Sequence, residues 1–374
     1  MPSEVMEWKV PFLDLRITDK AARQEILSAV ENVLCHGQLV LGKEVHELEV
    51  KIAIFCGRKY AVGVNSGTDA LYLGLKSLGV GPGSEVITTS LSWVATANAI
   101  AMTGATPVFA DIGEDLNIDP ECVRRLITSR TKAVMPVHYT GKVCQMEALS
   151  EIAAEYDLAV VEDASQAFGA RYHDQIAGSF GSIGCFSMNP MKVLGACGEA
   201  GMIVMDREDI YDRLLALRYN GTVNKEVCIE PSLNGRLDTI QAAILLKRLS
   251  KIDWVIERRR ELASWYDEQL TGLVETPRET QGGIDVFYTY IIRTRQRDAL
   301  MAFLRNKGVE TKIRHPSLMS EQPAYLHCPR AEMLNASGLV KEILSLPIHE
   351  KLARTDVCYV TECVQEFFQE TKEV

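Results

Sequence analysis

No two of the chain's ten cysteines form a C-x-x-C pair, and none has histidine partners at metal-ligand spacing. That excludes the common zinc motifs, so no metal is expected, and it suits small buried thiols in a reducing cytosol. Basic blocks are also missing. The "RRR" at 258–260 runs directly into Glu261 and reads as a solvated helix face. With a net charge of −10, neither nucleic acid nor an anionic membrane is an expected partner. The longest uncharged run, Val86 to Ala110, is rich in Thr, Ser and Asn and is broken by Gly104 and Pro107, so it does not read as a membrane span. The opening "MPSEVMEWKV" lacks the basic head and apolar core of a secretion signal, which points to a cytoplasmic protein. Two nucleotide signatures are absent as well. No G-x-G-x-x-G follows an early strand and no G-x-x-x-x-G-K-[ST] occurs, which argues against NAD and ATP.

What is present is an ordinary globular composition: 374 residues, 47% hydrophobic and 24% charged. That length corresponds to roughly two to three domains. The N-terminal stretch Asp19 to Leu34 carries a helical apolar stripe at positions 22, 26, 30, 33 and 34. From about residue 58, strands and helices alternate. The expected strands are "EVITT", "PVFAD", "KAVMPVH" and "LAVVEDA". The expected helices run over Leu71–Leu78, Ala95–Met102, from Pro120, and over Met146–Tyr156. The strands are continuous apolar runs, the mark of parallel strands buried on both faces. An α/β fold with a mostly parallel, right-handed sheet is therefore expected. After about residue 245 the texture changes. A long charged helix (Ile252–Leu270), the strand "FYTYIIR", a helix at Arg297–Lys307 and a last helix after Arg354 suggest a smaller α+β domain. The expected division is 1–245 and 246–374.

Open α/β sheets bind ligands at the carboxyl ends of their strands, and four features fall there. "VNSGTDAL" puts Ser66, Gly67 and Thr68 at a helix start, where free N–H groups and the helix dipole favour a phosphate. An ordinary turn with an N-cap reads the same way. "VVEDASQA" puts Asp163 at the end of an otherwise buried strand, where a protonated pyridine nitrogen would serve as its partner; a helix cap is the rival reading. Trp93, past another strand end, suits stacking on a flat ring or a place in the core. Lys192 lies in "GCFSMNPMKVLGACGEAG", a stretch offering a cation little solvation, and a poorly hydrated lysine readily becomes a Schiff-base nucleophile. Together the four suit pyridoxal 5'-phosphate.

Beyond these features the chain resembles the DegT/DnrJ/StrS sugar aminotransferases, fold-type I enzymes that use pyridoxal phosphate. The likeness runs from "VPFLDL" and "GQLVLGKEV" through "YAVGVNSGTDALYLGL", "EVITTSLSWVATANAI", "TKAVMPVHYTG", "VVEDASQAFGA", "GSFGSIGCFSMNPMK" and "NGRLDTIQAAI" to "LSLPIHEKL". It implies that Lys192 bonds the cofactor aldehyde, Asp163 faces the pyridine nitrogen and Gln166 meets the ring hydroxyl. It implies phosphate ligands at Gly67, Thr68 and Ser187, and an aromatic over the ring at Trp93. Asn234 matches an asparagine that reaches the phosphate from the second subunit, which implies a homodimer with shared active sites.

The implied reaction moves an amino group, with glutamate as donor, to a keto group of a nucleotide-linked deoxysugar in amino-sugar and polysaccharide biosynthesis. "VLGACGEAG" after the lysine resembles members acting on 3-keto rather than 4-keto sugars. Two alternatives share the fold: a sugar dehydratase, in which histidine typically replaces the lysine, and a non-catalytic regulator. The chain also departs from the family pattern. It reads "RHPSLMSEQPAY" where "HYP.PLH.QPAY" is common, so Arg314 and Ser320 replace two histidines; Phe168 replaces another, and "PMK" stands for the commoner "PTK". Arg314, Ser320 and Phe168, with His315, lie toward the implied substrate side, where an acidic group would suit the arginine.

Overall fold

The computed structural model describes residues 8–370, so the first seven residues of the opening stretch lie outside it, as do the last four. Seven strands form the central sheet. They are β1 (Tyr60–Val64), β2 (Glu85–Thr89), β3 (Thr106–Ala110), β4 (Thr131–Met135), β5 (Ala159–Asp163), β6 (Ile183–Ser187) and β7 (Gly201–Met205). Their spatial order is β1–β7–β6–β5–β4–β2–β3. β2 pairs in parallel with β3 and β4, β4 with β5, and β5 with β6. β7 alone runs against its neighbours, β1 and β6. The α/β fold with a mostly parallel sheet is therefore the one expected.

Successive residues explain the continuous apolar runs. Ile87, Val134 and Val160 pack into one core, while Val86, Ala133 and Val161 pack into another on the opposite face. The first core is closed by α2 (Lys43–Phe55), α6 (Met146–Glu155) and α8 (Thr239–Leu249), the second by α3 (Gly67–Ser77), α4 (Ala95–Met102) and α7 (Glu208–Leu217). α5 (Pro120–Leu126) adds Cys122 and Val123 to the first core, while α1 (Lys20–His36) packs Ala29 and Val33 on Ala243 of α8 in a small cluster of its own. β4 stops at Met135, three residues short of the expected end, because Pro136 has no N–H for the ladder. α3 starts four residues earlier than expected because the Ser66 side chain accepts a hydrogen bond from Asp69 N at 3.1 Å and caps it.

A third apolar core lies among α9 (Ile252–Leu270), α10 (Arg297–Asn306), α11 (Arg354–Glu370) and the antiparallel pair β8 (Tyr290–Arg293) and β9 (Ile343–Leu346). Two expectations need correction here. The strand "FYTYIIR" begins only at Tyr290, because Phe287 takes a left-handed φ of 44° and breaks the extended run. The "RRR" triplet is not a solvated face. Arg259 is 2% exposed, donates to the carbonyls of Phe287 and Ile348 at 3.1 and 3.2 Å, and pairs with Glu350 at 3.1 Å. Among the described residues no helix is long and apolar enough to cross a membrane.

Beneath the end of β5 lies a buried charge. The Glu162 carboxylate accepts from Gly178 N, Phe180 N and Gly181 N at 2.6–2.7 Å and bonds His138 Nε2 at 2.9 Å. His138 Nδ1 accepts from Cys144 N, so Nε2 carries the proton toward Glu162. Removing such an acceptor strands every donor in a dry interior. Glu162→Ala is expected to cost about 3–5 kcal/mol by urea unfolding, with Glu162→Gln losing clearly less.

Candidate active site

The carboxyl ends of β1, β2, β5 and β6 open onto a cavity of about 740 Å³. Ser66, Gly67, Thr68, Trp93, Asp163, Gln166, Ser187, Lys192, Arg314 and His315 all line it. Every candidate site residue except Asn234 is thus brought to one place. Asn234 is exposed and off this cavity; its Oδ1 accepts from Arg236 Nε at 2.6 Å. A wider cleft of about 1190 Å³ lies between Glu114–Leu116 and the 271–278 segment. Its Arg293 is already paired with Glu114 and Glu275, which leaves that cleft a weaker candidate.

The helix start at 66–68 sits close on β6. A Cβ on Gly67 would stand 2.4 Å from Ser187 Cβ, so only glycine allows this approach. The N-terminal N–H groups of α3 and the Ser187 hydroxyl thereby share one corner of the cavity, a frame that suits an anion. Asp163 is 3% exposed. Its Oδ2 accepts from Thr96 Oγ1 at 2.8 Å and its Oδ1 from Ser165 N at 3.2 Å. Gln166 Oε1 accepts from Thr140 N at 3.0 Å, which fixes the amide.

Lys192 sits on a tight loop. Its N–H donates to Asn189 O at 2.8 Å, and Asn189 Nδ2 donates to Glu199 at 2.6 Å. From α8, Arg248 donates to the carbonyls of Gly195 and Ala196 and clamps the loop's far side. The lysine is half-buried, and its ammonium lies 4.5 Å from the centre of the Tyr288 ring. Its isolation is thus relieved by an aromatic face rather than left among aliphatic groups. Trp93 stands at the cavity lip, 63% exposed, with its ring 6.5 Å from that of His315.

Sequence reasoning missed several lining groups, among them Phe12, Thr96, Lys312 and Tyr288. Thr96 was within reach, since it lies three residues past Trp93 in the first turn of α4. Tyr288 was hidden inside a run that read as strand.

Burial pushes His315 down to about 3, with Arg314 and Lys192 adding to the effect, so the imidazole is neutral near pH 7. Its Nδ1 lies 2.8 Å from the Tyr139 hydroxyl. A histidine kept neutral in the fold contributes stability above its unfolded pKa and loses it as pH falls. Between about pH 6.5 and pH 5 the native state is expected to lose about 1.4 kcal/mol per unit from this residue. Urea midpoints of His315→Gln should show a shallower decline over that range than the parent.

Comparison with known proteins adds the family. A "Pleiotropic regulatory protein" of Geobacillus stearothermophilus is 38% identical over 96% of this chain and 99% of its own. The dTDP-3-amino-3,4,6-trideoxy-alpha-D-glucose transaminase of Streptomyces venezuelae is 38% identical over 98% of each. The crystal structure of S. venezuelae DesV in complex with a ketimine intermediate superimposes with a TM-score of 0.92, at 38% identity, covering 96% of this chain and 98% of that one. The architecture is that of fold-type I sugar aminotransferases. With the family model matching residues 20–365, the chain belongs to the DegT/DnrJ/EryC1/StrS aminotransferase family.

Proposed function

We propose that this protein is a pyridoxal 5'-phosphate-dependent aminotransferase that carries an amino group from glutamate to a keto carbon of a nucleotide-linked deoxysugar. One observation carries the reading: Lys192, Asp163 and the Ser66–Thr68 helix start meet on a single cavity. These residues fit the cofactor, with a primary amine for an aldehyde, a held carboxylate for a ring nitrogen, and a glycine-shaped corner for a phosphate. When bound, the cofactor supplies a covalent carrier for the amino group and an electron sink.

The chain's own residues do the rest. Thr96 and Ser165 fix the Asp163 carboxylate, which would hold the ring nitrogen. Gln166, held by Thr140, would meet the ring hydroxyl. Trp93 covers one face and narrows the way in for water. Lys192, on the same lining, would take a proton from the donor carbon as base and give one back as acid. Lys312 and Arg314 place positive charge on the lining, which suits the carboxylate of the donor or the diphosphate of a nucleotide sugar.

Amination at the 3-keto position is the reading we favour over the 4-keto position. "VLGACGEAG" supports it, as does the 3-amino product named for the S. venezuelae relative. The active unit we propose is a homodimer in which Asn234 completes the partner's phosphate site, a role suited to its exposed place off its own cavity. The apolar core among α9, α10 and α11 supports a small domain from about residue 246. A cytoplasmic location suits ten free thiols. A regulatory role is the second reading, favoured by the name of the Geobacillus relative. Lys192, in place of histidine, speaks against a dehydratase.

Borohydride reduction of the cofactor-loaded protein should leave the pyridoxyl group on Lys192 by peptide mapping; a label on any other lysine overturns the assignment. Incubation with glutamate and matched 3-keto and 4-keto sugar nucleotides should yield a 3-amino sugar by NMR. Amination of the 4-keto compound alone reverses the positional reading, and no turnover with any member of a keto-sugar panel favours the regulator. Mixed dimers re-formed from inactive Lys192→Ala and Asn234→Ala chains should regain activity through hybrid sites. Persistent inactivity would count against sites shared between subunits.

A further inference from the structure

Tyr288 is unexplained by anything above. It is 5% exposed, it lines the cavity, and it lies one residue past Phe287, whose left-handed turn breaks the strand. Its placement is over-determined. A Cβ on Gly141 would come within 2.9 Å of Tyr288 N, so the 140–141 turn packs directly on this segment. Val286 N donates to Gly141 O at 3.0 Å and Thr289 N to Thr140 O at 3.4 Å. Thr140 is the residue that holds Gln166, so one turn sets both side chains. Strained backbone that the surroundings hold in place is a frequent companion of function.

Two cations converge on the ring. The Lys192 ammonium lies 4.5 Å from its centre, and the Arg314 guanidinium carbon lies 5.0 Å from it. Arg314 Nη2 also donates a hydrogen bond to the phenol oxygen. A wall tyrosine in an apolar cavity would need no such partners.

We propose that Tyr288 is a second catalytic residue, exchanging a proton with the Lys192 amine while Arg314 holds its oxygen. The inference rests on the proposed role of Lys192. The step balances without a further reactant. An N–H bond of the Lys192 ammonium breaks, an O–H bond forms on the Tyr288 phenolate, and the lysine is left with a free lone pair. The reverse step reloads the ammonium. Arg314 stays charged throughout, because guanidinium does not give up its proton in proteins.

The electrostatics agree. Burial pushes the phenol up, but the charges of Lys192 and Arg314, with their hydrogen bonds, outweigh it and leave Tyr288 below its ordinary value. The other titratable groups facing this end are Tyr139, pushed up by burial, and His315, held neutral. Asp163, Glu199, Glu310 and Lys312 lie elsewhere on the lining. Lys312 is paired with Glu310 at 2.7 Å, which leaves Lys192 and Arg314 as the cations on the phenol.

The test uses Tyr288→Phe, which keeps the ring over Lys192 and removes the oxygen, and Arg314→Gln, which keeps the phenol and removes its charge partner. In the protein stripped of cofactor, ultraviolet titration should find one tyrosine ionising ahead of the rest. That step should vanish in Tyr288→Phe and move to higher pH in Arg314→Gln. Labelling of Lys192 by trinitrobenzenesulfonate, read by peptide mapping, should shift its pH midpoint by about one unit in Tyr288→Phe. In the loaded enzyme kcat should fall about 10²-fold with a displaced pH profile. An early-ionising tyrosine that survives in Tyr288→Phe, or unchanged Lys192 labelling and kcat profiles, overturns the proposal. Should Tyr288→Phe fail to fold, Arg314→Gln decides, since an unmoved titration there is equally fatal. Borohydride capture by the parent protein separates the two ideas: no adduct on Lys192 defeats the aminotransferase reading, whereas the titrations judge the tyrosine directly.

Discussion

The Glu162 carboxylate is the anchor of the site, although it never touches the cavity. It follows β strand alternation: Asp163 turns toward the ligand side, so Glu162 turns into the protein. There it gathers three N–H groups from the 178–181 turn and the His138 imidazole, with Arg58 at 4.0 Å. A buried charge is tolerable only when so well satisfied. The consequence is geometric. The turn leading into β6, the end of β4 and the end of β5 are tied to one atom group. His138 N bonds Asp163 O at 3.1 Å and Asp163 N bonds Pro136 O at 2.9 Å, so the backbone of the key carboxylate is fixed on both sides.

From that anchor the chemistry divides by charge. The inner corner, around Gly67 and Ser187, offers N–H groups and hydroxyls without a side-chain cation. The side-chain cations on the lining are Lys192, Lys312 and Arg314. Only one of these three, Lys192, stands on the sheet's own loops; the other two come from the segment after α10. A site assembled from two cores in this way can fix its cofactor with one and vary its substrate contacts with the other. The departures from the family pattern are divided between the two: Met191 lines the cavity beside Lys192 and Phe168 is buried in the first core, while Ser320 is buried off the lining. Arg314 changes the second group, whereas Lys192 and Asp163 match the family in the first.

Much of this was legible in the sequence, for identifiable reasons. Apolar runs such as "EVITT" named the strands because both faces are buried, and it was the coincidence of four polar features at strand ends, not any one of them, that pointed to a site. Helix Ile252–Leu270 and its limits were read correctly, since its charged periodicity is long. What escaped depended on contacts distant in sequence. The burial of Arg259 in "RRR" comes from carbonyls at 287 and 348, which no local pattern reveals. β6 and β7 were not distinguished; each holds one glycine that serves close packing, since a Cβ on Gly184 would lie 2.3 Å from Gly178 O and one on Gly201 would lie 2.2 Å from Ser66 O.

Lys192 shows how a residue's folded setting can differ from the one its local sequence suggests. The glycines and alanines around it suggested a cation starved of solvation, yet the folded chain supplies an aromatic face from a segment some hundred residues away. Aliphatic walls alone would penalise the ammonium without giving its proton anywhere to go. A tyrosine ring stabilises the charge through its face while its oxygen, held by Arg314, stands ready as an acceptor. The same contact that makes the lysine tolerable therefore also offers it a route to the neutral amine. Solvation of the nucleophile and its activation are then two aspects of one packing arrangement, set by the turn at Thr140 and Gly141 that presses on the tyrosine's backbone.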